Sequence, residues 1–409
     1  MDKKIIFIIC LIIYLIIVFG VEILYRDFLY ELSVEYIGKI DQEGFLRYFF
    51  FFWSFIFLYS LIAFGIVISF FFYPITIFYS CISSLIFITF IMCILKSIYS
   101  NPRPYWDIYL NNYQKKTQPN PTECSGEFGN PSGHAMIAAY ILSYWGLFTN
   151  SNLYKLIDEK NKKTVKYLSL IMYILCDCFV IYSRIHRQVH GFNQILFGTL
   201  IGIGLYFLST HILELYTIKP KDFLSIISRY QYVLVPLFIM LYILSVFLGL
   251  IRHNPKEEEY ANILLIYCGY IKDELFGQNT ALSSSLIFIS IGGYIGLLFL
   301  KYKINKCHED DEDIFYNWNK KGIIKTLKIF CFSFLLPAIP LICIVFIPYE
   351  LYTLKMVIID ILLFAYGFFS FGLCFYYSCL KLHKKRESLR NSSIEEEVEE
   401  GNDDGDLEK

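Results

Sequence analysis

Three short polar stretches hold the residues of this chain best suited to chemistry on an anion. The first is Lys96, followed after six residues by Arg103 and Pro104. Pro104 biases Arg103 away from helical geometry, so its guanidinium leaves the line of the preceding span and two cations can converge on one anion. The second is Pro131, Ser132, Gly133 and His134, just before a long apolar run. Ser132 is placed as a helix N-cap, Gly133 lets a ligand approach the backbone, and free N–H groups at a helix start bind phosphate. The third is Ser183 and Arg184, followed after five residues by His190. There a guanidinium suited to bidentate phosphate binding and an imidazole flank one short loop.

Such residues act together only if the chain brings them to one place. The composition is 56% hydrophobic, 19% aromatic and 18% charged, with a net charge of −1, which excludes an ordinary soluble domain and gives no reason to expect a nucleic-acid partner. Apolar runs long enough to cross a bilayer fall at about 5–24, 48–72, 76–97, 132–149, 166–184, 192–214, 230–251, 278–300, 327–348 and 354–379. They lack the short alternating segments of a membrane barrel, so the expected fold is all-α, a multi-pass transmembrane bundle of about ten spans. Lys160, Lys162, Lys163, Lys166, Lys219, Lys221, Lys301, Lys303, Lys320 and Lys321 fall on one side, which predicts a cytosolic N-terminus. All three polar stretches then lie on the lumenal or extracellular face, at the ends of neighbouring spans.

Each residue by itself has an ordinary explanation. Lys96 reads as a snorkelling interfacial lysine, Arg103–Pro104 as a loop, Ser132–Gly133 as a plain cap and a single histidine as an interfacial polar group. Solvation alone does not explain why three such clusters share one face of adjacent spans.

In this order the motifs resemble those of the type 2 phosphatidic acid phosphatase (PAP2) and vanadium haloperoxidase superfamily, over about residues 76–214. The resemblance implies a PAP2-like helical core in which His190 attacks phosphorus and forms a phosphohistidine while His134 protonates the leaving oxygen. It assigns the phosphoryl oxygens to Lys96, Arg103, Ser132, Gly133 and Arg184, and it requires neither metal nor cofactor. One departure stands out: many members carry Asp four residues after the nucleophilic histidine, where this chain has Gln194. At i, i+4 on one helical face an amide oxygen still orients the imidazole, without supplying charge. Gln194, the RPYW run and CSGEFGNPSGHAM are also similar to glucose-6-phosphatase, and Gln194 to dolichyl diphosphatase relatives.

The expected function is therefore an integral-membrane phosphatase, with a lipid phosphate or polyprenyl diphosphate as the leading substrate class. A glucose-6-phosphatase-type sugar phosphatase, a lipid phosphotransferase and an inactive scaffold or transporter are the alternatives. The bilayer of the endoplasmic reticulum, another endomembrane or the plasma membrane is the expected location.

Around the core (76–214) the organisation reads as N-terminal spans (1–75), further spans (215–386) and an acidic, disordered tail (387–409). Asp177 and Asp360 lie inside spans and are functional candidates, with interhelical hydrogen bonding as the ordinary reading. Cys124 and Cys268, the two cysteines on the lumenal face, could form a disulfide. Residues 252–277 read as an interfacial helix, solvated or resting on the membrane.

Overall fold

Inside hydrocarbon a backbone must satisfy its own polar groups, and in the computed structural model every regular element among the described residues is helical. Described are residues 3–40, 44–63, 66, 75–111, 124–142, 159–215, 229, 231–251, 254–269, 276, 280, 283–304, 331–346 and 354–373. The acidic tail, Lys219 and Lys221, and the Lys320–Lys321 pair lie outside them.

The helices are α1 (Lys3–Ile37), α2 (Phe45–Ala63), α3 (Ile75–Tyr99), α4 (Pro104–Leu110), α5 (Gly133–Leu142) and α6 (Glu159–His186). They continue as α7 (Phe192–Leu215), α8 (Gln231–Ile251), α9 (Glu257–Cys268), α10 (Ile287–Ile304) and α11 (Leu354–Leu373). Among the described residues six stretches are long and apolar enough to cross a membrane, and four shorter apolar helices fall in the other four expected spans. Outward-facing side chains such as Ile16, Leu24, Ile171 and Met240 are exposed, as lipid-facing surface requires.

The polar motifs gather where α3, α5, α6 and α7 end. α7 packs against both α1 and α3. The core between them contains Val18, Met92, Met136, Tyr140, Phe197 and Ile201. On α7, Gly198 and Gly202 bring α5 into backbone contact, because a Cβ there would stand 2.6 Å from the Ser132 carbonyl oxygen and 2.3 Å from that of Met136. This is the small-residue spacing by which membrane helices approach closely. It fixes the start of α5 beside the start of α7.

Three expectations need correction. α1 runs on to Ile37 instead of ending near residue 24, because its polar residues are used: Glu22 pairs with Arg26, and Tyr30 donates to Asp107 of α4 at 2.7 Å. Within the run 327–348, the described residues 331–346 are not one regular helix: Pro337 and Pro340 interrupt them, leaving a π turn at Cys331–Leu335 and a 3-10 stretch at Ile339–Phe346. The segment 252–277 contains a helix, α9, but its Tyr260, Ile263 and Leu264 are buried against Trp106, Phe128 and Phe276 rather than resting on a membrane. Tyr260 also donates to Asp107 at 2.7 Å.

Candidate active site

The first motif works as its spacing suggests. Lys96 lies in the last turn of α3, the chain reverses at Ser100 with a left-handed φ of 47°, and Arg103 is extended at φ −88° and ψ 146° before Pro104 starts α4. Lys96 and Arg103 are both buried. Both are oriented by one residue that sequence reasoning assigned no role. The Glu127 carboxylate pairs with Lys96 Nζ, and the Glu127 main-chain oxygen accepts a bond from Arg103 Nε at 2.7 Å. Burial alone would raise the Glu127 carboxyl, but the Lys96 ammonium, with Arg103 and the Ser283 hydroxyl, holds it below its ordinary range.

The third motif brings His190 to the same place. Its Nδ1 lies 3.0 Å from the Gly129 carbonyl oxygen and 3.2 Å from Gln194 Oε1, and its Nε2 lies 3.3 Å from Arg103 Nη1. Two acceptors at Nδ1 and a donor at Nε2 select one tautomer: the proton sits on Nδ1 and the Nε2 lone pair faces the Arg103 side. Burial first, then the charges of Arg103, Arg184 and Lys96, push the imidazole well below its ordinary pKa, which favours its neutral form.

Gln194 connects all three motifs. Its Oε1 also accepts from the Gly191 N–H at 3.2 Å, its Nε2 donates to the Pro102 carbonyl at 2.7 Å, and its main-chain oxygen accepts from the Ser132 N–H at 2.9 Å. Ionised aspartate could not make the donation to Pro102.

In the second motif, the Ser132 side chain makes no cap bond. Ser132 Oγ and His134 Nε2 are buried with no hydrogen-bond partner among the described residues. Gly133 has a packing reason as well, since a Cβ would meet Met92 Sδ at 2.2 Å. His134 is bordered edge-on by Phe55 at 5.7 Å and Tyr59 at 6.0 Å between ring centres. Arg184 ends α6 and donates from Nη1 to Ser54 Oγ, with its guanidinium 5.9 Å from the Phe55 ring centre. A further buried cation, Arg187, stacks on that ring at 4.5 Å. Ser54 and Phe55 lie in a π-helical turn of α2, a local widening that often occurs at functional sites.

The eight expected residues thus occupy one end of the bundle, with Lys96, Arg103, His190 and Gln194 joined through hydrogen bonds and Glu127. Among the described residues no group of three or more His, Cys, Asp or Glu side chains is gathered as a metal ion would need. Asp360 accepts from Tyr242 of α8 at 2.7 Å, while Asp177 Oδ1 is buried without a hydrogen-bond partner among the described residues.

With this arrangement in view, residues 77–217 match the PAP2 superfamily. Over this stretch, about a third of its length, the chain is similar to that superfamily. The PAP2 region therefore contains every residue expected at the site, while Glu127's partner Ser283 and the flanking Ser54 and Phe55 lie outside it. Curated relatives are glucose-6-phosphatase catalytic subunit 1 of Bos taurus, 28% identical over 32% of this chain, and that of Felis catus, 27% identical over 50%. The chain spans 39% and 61% of those proteins' lengths. No solved structure matches it significantly.

Glu127 and Arg187 had a signal, the first being a charge inside CSGEFGNPSGHAM and the second a charge between Arg184 and His190. Ser54, in an apolar run, and Ser283, far along the chain, had none.

Proposed function

We propose that this chain is an integral-membrane phosphatase that hydrolyses a phosphate ester by way of a phosphohistidine on His190. The observation carrying the proposal is the placement of His190, with Nδ1 between the Gly129 and Gln194 oxygens and Nε2 3.3 Å from Arg103 Nη1, which favours a tautomer whose Nε2 lone pair is turned toward Arg103. The phosphoryl group would lie among Lys96, Arg103, Arg184, the Ser132 hydroxyl and the N–H groups at the start of α5, which spread its charge in the transition state. His190 Nε2 forms the N–P bond as the P–O bond to the leaving group breaks, and His134 gives that oxygen its proton. Water then attacks phosphorus, the N–P bond breaks, and the water proton returns to His134. Gly129 and Gln194 hold the Nδ1 proton throughout.

For the leaving group, the resemblance to glucose-6-phosphatase catalytic subunits favours a soluble sugar phosphate. A lipid phosphate or polyprenyl diphosphate is the second reading, favoured by Phe55 and the half-exposed Tyr59 beside His134 on a membrane-length helix. The site is assigned to the non-cytosolic face of an endoplasmic-reticulum, other endomembrane or plasma membrane. The Cys124–Cys268 disulfide supports this, since such bonds persist in oxidising compartments. The four divisions 1–75, 76–214, 215–386 and 387–409 are proposed as its organisation.

The test is phosphate release by the purified protein in detergent from glucose 6-phosphate, phosphatidate and a polyprenyl diphosphate. Release from at least one supports a phosphatase and identifies its leaving-group class. Release from none counts against hydrolysis, and headgroup exchange without release indicates a phosphotransferase.

A further inference from the structure

The loop from Cys124 to Pro131 is held from beyond the PAP2 match at three places. Cys124 is bonded to Cys268, the Phe276 N–H donates to the Gly126 carbonyl at 2.6 Å, and Ser283 Oγ donates to Glu127 Oε1 at 2.9 Å. The last reaches Glu127 itself, the residue bonded to both cations of the first motif, and the other two fasten the chain three residues and one residue before it. The Lys96 and Glu127 side chains are only 4% and 16% exposed. A carboxylate is an unexpected neighbour in a site for an anion, so its presence needs a physical reason.

Two effects follow from it. A buried ammonium without a counter-charge is costly, and Glu127 removes that cost while the site is empty. With substrate present, the ammonium has two further N–H groups to direct at a phosphoryl oxygen. The carboxylate also subtracts one charge from a site containing Lys96, Arg103 and Arg184, which weakens every bound phosphate, including the product.

We propose that Glu127, fixed by Ser283, is a positioning residue that sets the charge of the phosphoryl site: it orients Lys96 and Arg103 and keeps inorganic phosphate weakly enough bound to leave. This rests on the proposed phosphatase reading. Ser283 makes the region after the PAP2 match a contributor to the site.

The experiment measures inhibition of the full-length protein in detergent by inorganic phosphate and by vanadate. Glu127→Gln keeps the shape and removes the charge. It should bind both inhibitors about tenfold more tightly, the scale of one charge at short range in a partly screened site. Glu127→Asp restores the charge and should return both inhibition constants to within about twofold of wild type. Ser283→Ala should tighten binding in the same direction but less. Damage to the fold would weaken binding instead, so the direction separates charge setting from a purely structural role. If Glu127→Gln does not fold, Ser283→Ala decides by the same criterion. Unchanged or weaker inhibition of an active Glu127→Gln or Ser283→Ala variant overturns this inference alone. A wild-type protein that neither releases phosphate nor binds vanadate overturns the phosphatase reading, and this inference with it.

Discussion

Gln194 Oε1 lies 3.2 Å from His190 Nδ1, one turn earlier on the chain, and the same amide donates through Nε2 to Pro102. The side chain therefore fixes a tautomer and ties the third motif to the first. Gln194→Ala removes both bonds but leaves the Gly129 carbonyl to hold the Nδ1 proton. The expected result is a kcat reduced about tenfold, the scale of one hydrogen bond, with vanadate affinity nearly unchanged. Gln194→Glu should be worse than Gln194→Ala, because its ionised carboxylate would face the Pro102 carbonyl with no proton to offer. Steady-state kinetics on the two variants checks the order.

The neutrality of His190 predicts the acid side of the pH profile. Protonation removes the Nε2 lone pair, so activity is lost as pH falls through the His190 pKa, and that pKa is held well below the ordinary value of about 6.5. Wild-type kcat/KM should therefore show no His190-dependent loss just below pH 6.5. Replacing Arg103 with Gln removes a cation that depresses this pKa. Beyond a general loss of activity, the acid limb should then move to higher pH. A limb in the same place for both proteins would count against His190 as the titrating base.

Orientation is open to direct labelling. The basic residues of α6 and the Cys124–Cys268 bond put opposite demands on the two faces. In sealed membranes with the non-cytosolic face outward, a cysteine at Glu258, exposed on α9, should react with an impermeant thiol reagent. One at Lys163, on the exposed side of α6, should react only after permeabilisation. The reverse pattern would place the site in the cytosol.

The contact of α5 with α7 predicts a stability effect far from any charged group. A methyl group at Gly202 would meet the Met136 carbonyl oxygen, which is backbone and cannot rotate away. Gly202→Ala should push the two helices apart at a cost of about 1–3 kcal/mol, and lower kcat because Ser132 and His134 move with α5. Thermal unfolding in detergent and turnover should fall together. Gly20→Ala, where nothing lies within 4 Å, is the control and should change neither.

What the sequence made legible follows from how each signal is carried. Lys96, Arg103, Ser132, Arg184 and His190 stand at the ends of apolar spans, which picks them out as polar clusters, while their proposed roles rest on the resemblance; helices are the form such spans must take. Glu127 reaches Lys96 across 31 residues and Ser283 across 156. No local pattern encodes contacts made by loops. α9 misled for a related reason: its apolar patch reads as membrane-facing until Trp106 and Phe276 are seen to cover it. Ser54 sits among phenylalanines, and only the meeting of α2 with α6 gives it a guanidinium to hold.

His134 and His190 should fail in different ways when replaced. Only His190 bonds to phosphorus in the proposed reaction, so His190→Ala should abolish turnover of every substrate and leave no phosphoenzyme. His134 matters for the oxygen that departs. With an alkyl phosphate the leaving alkoxide needs a proton, and His134→Ala should lower turnover by about 100-fold or more. With a nitrophenyl phosphate the leaving group departs well without one, and the loss should be much smaller. Deprived of His134, the enzyme should also be slow to activate the water that resolves the intermediate. An acid-labile, base-stable phosphoprotein should accordingly accumulate in His134→Ala treated with the nitrophenyl ester, and be absent from His190→Ala. If the two variants instead respond identically to leaving-group pKa, His134 belongs with the phosphate-holding groups and the proton must come from elsewhere.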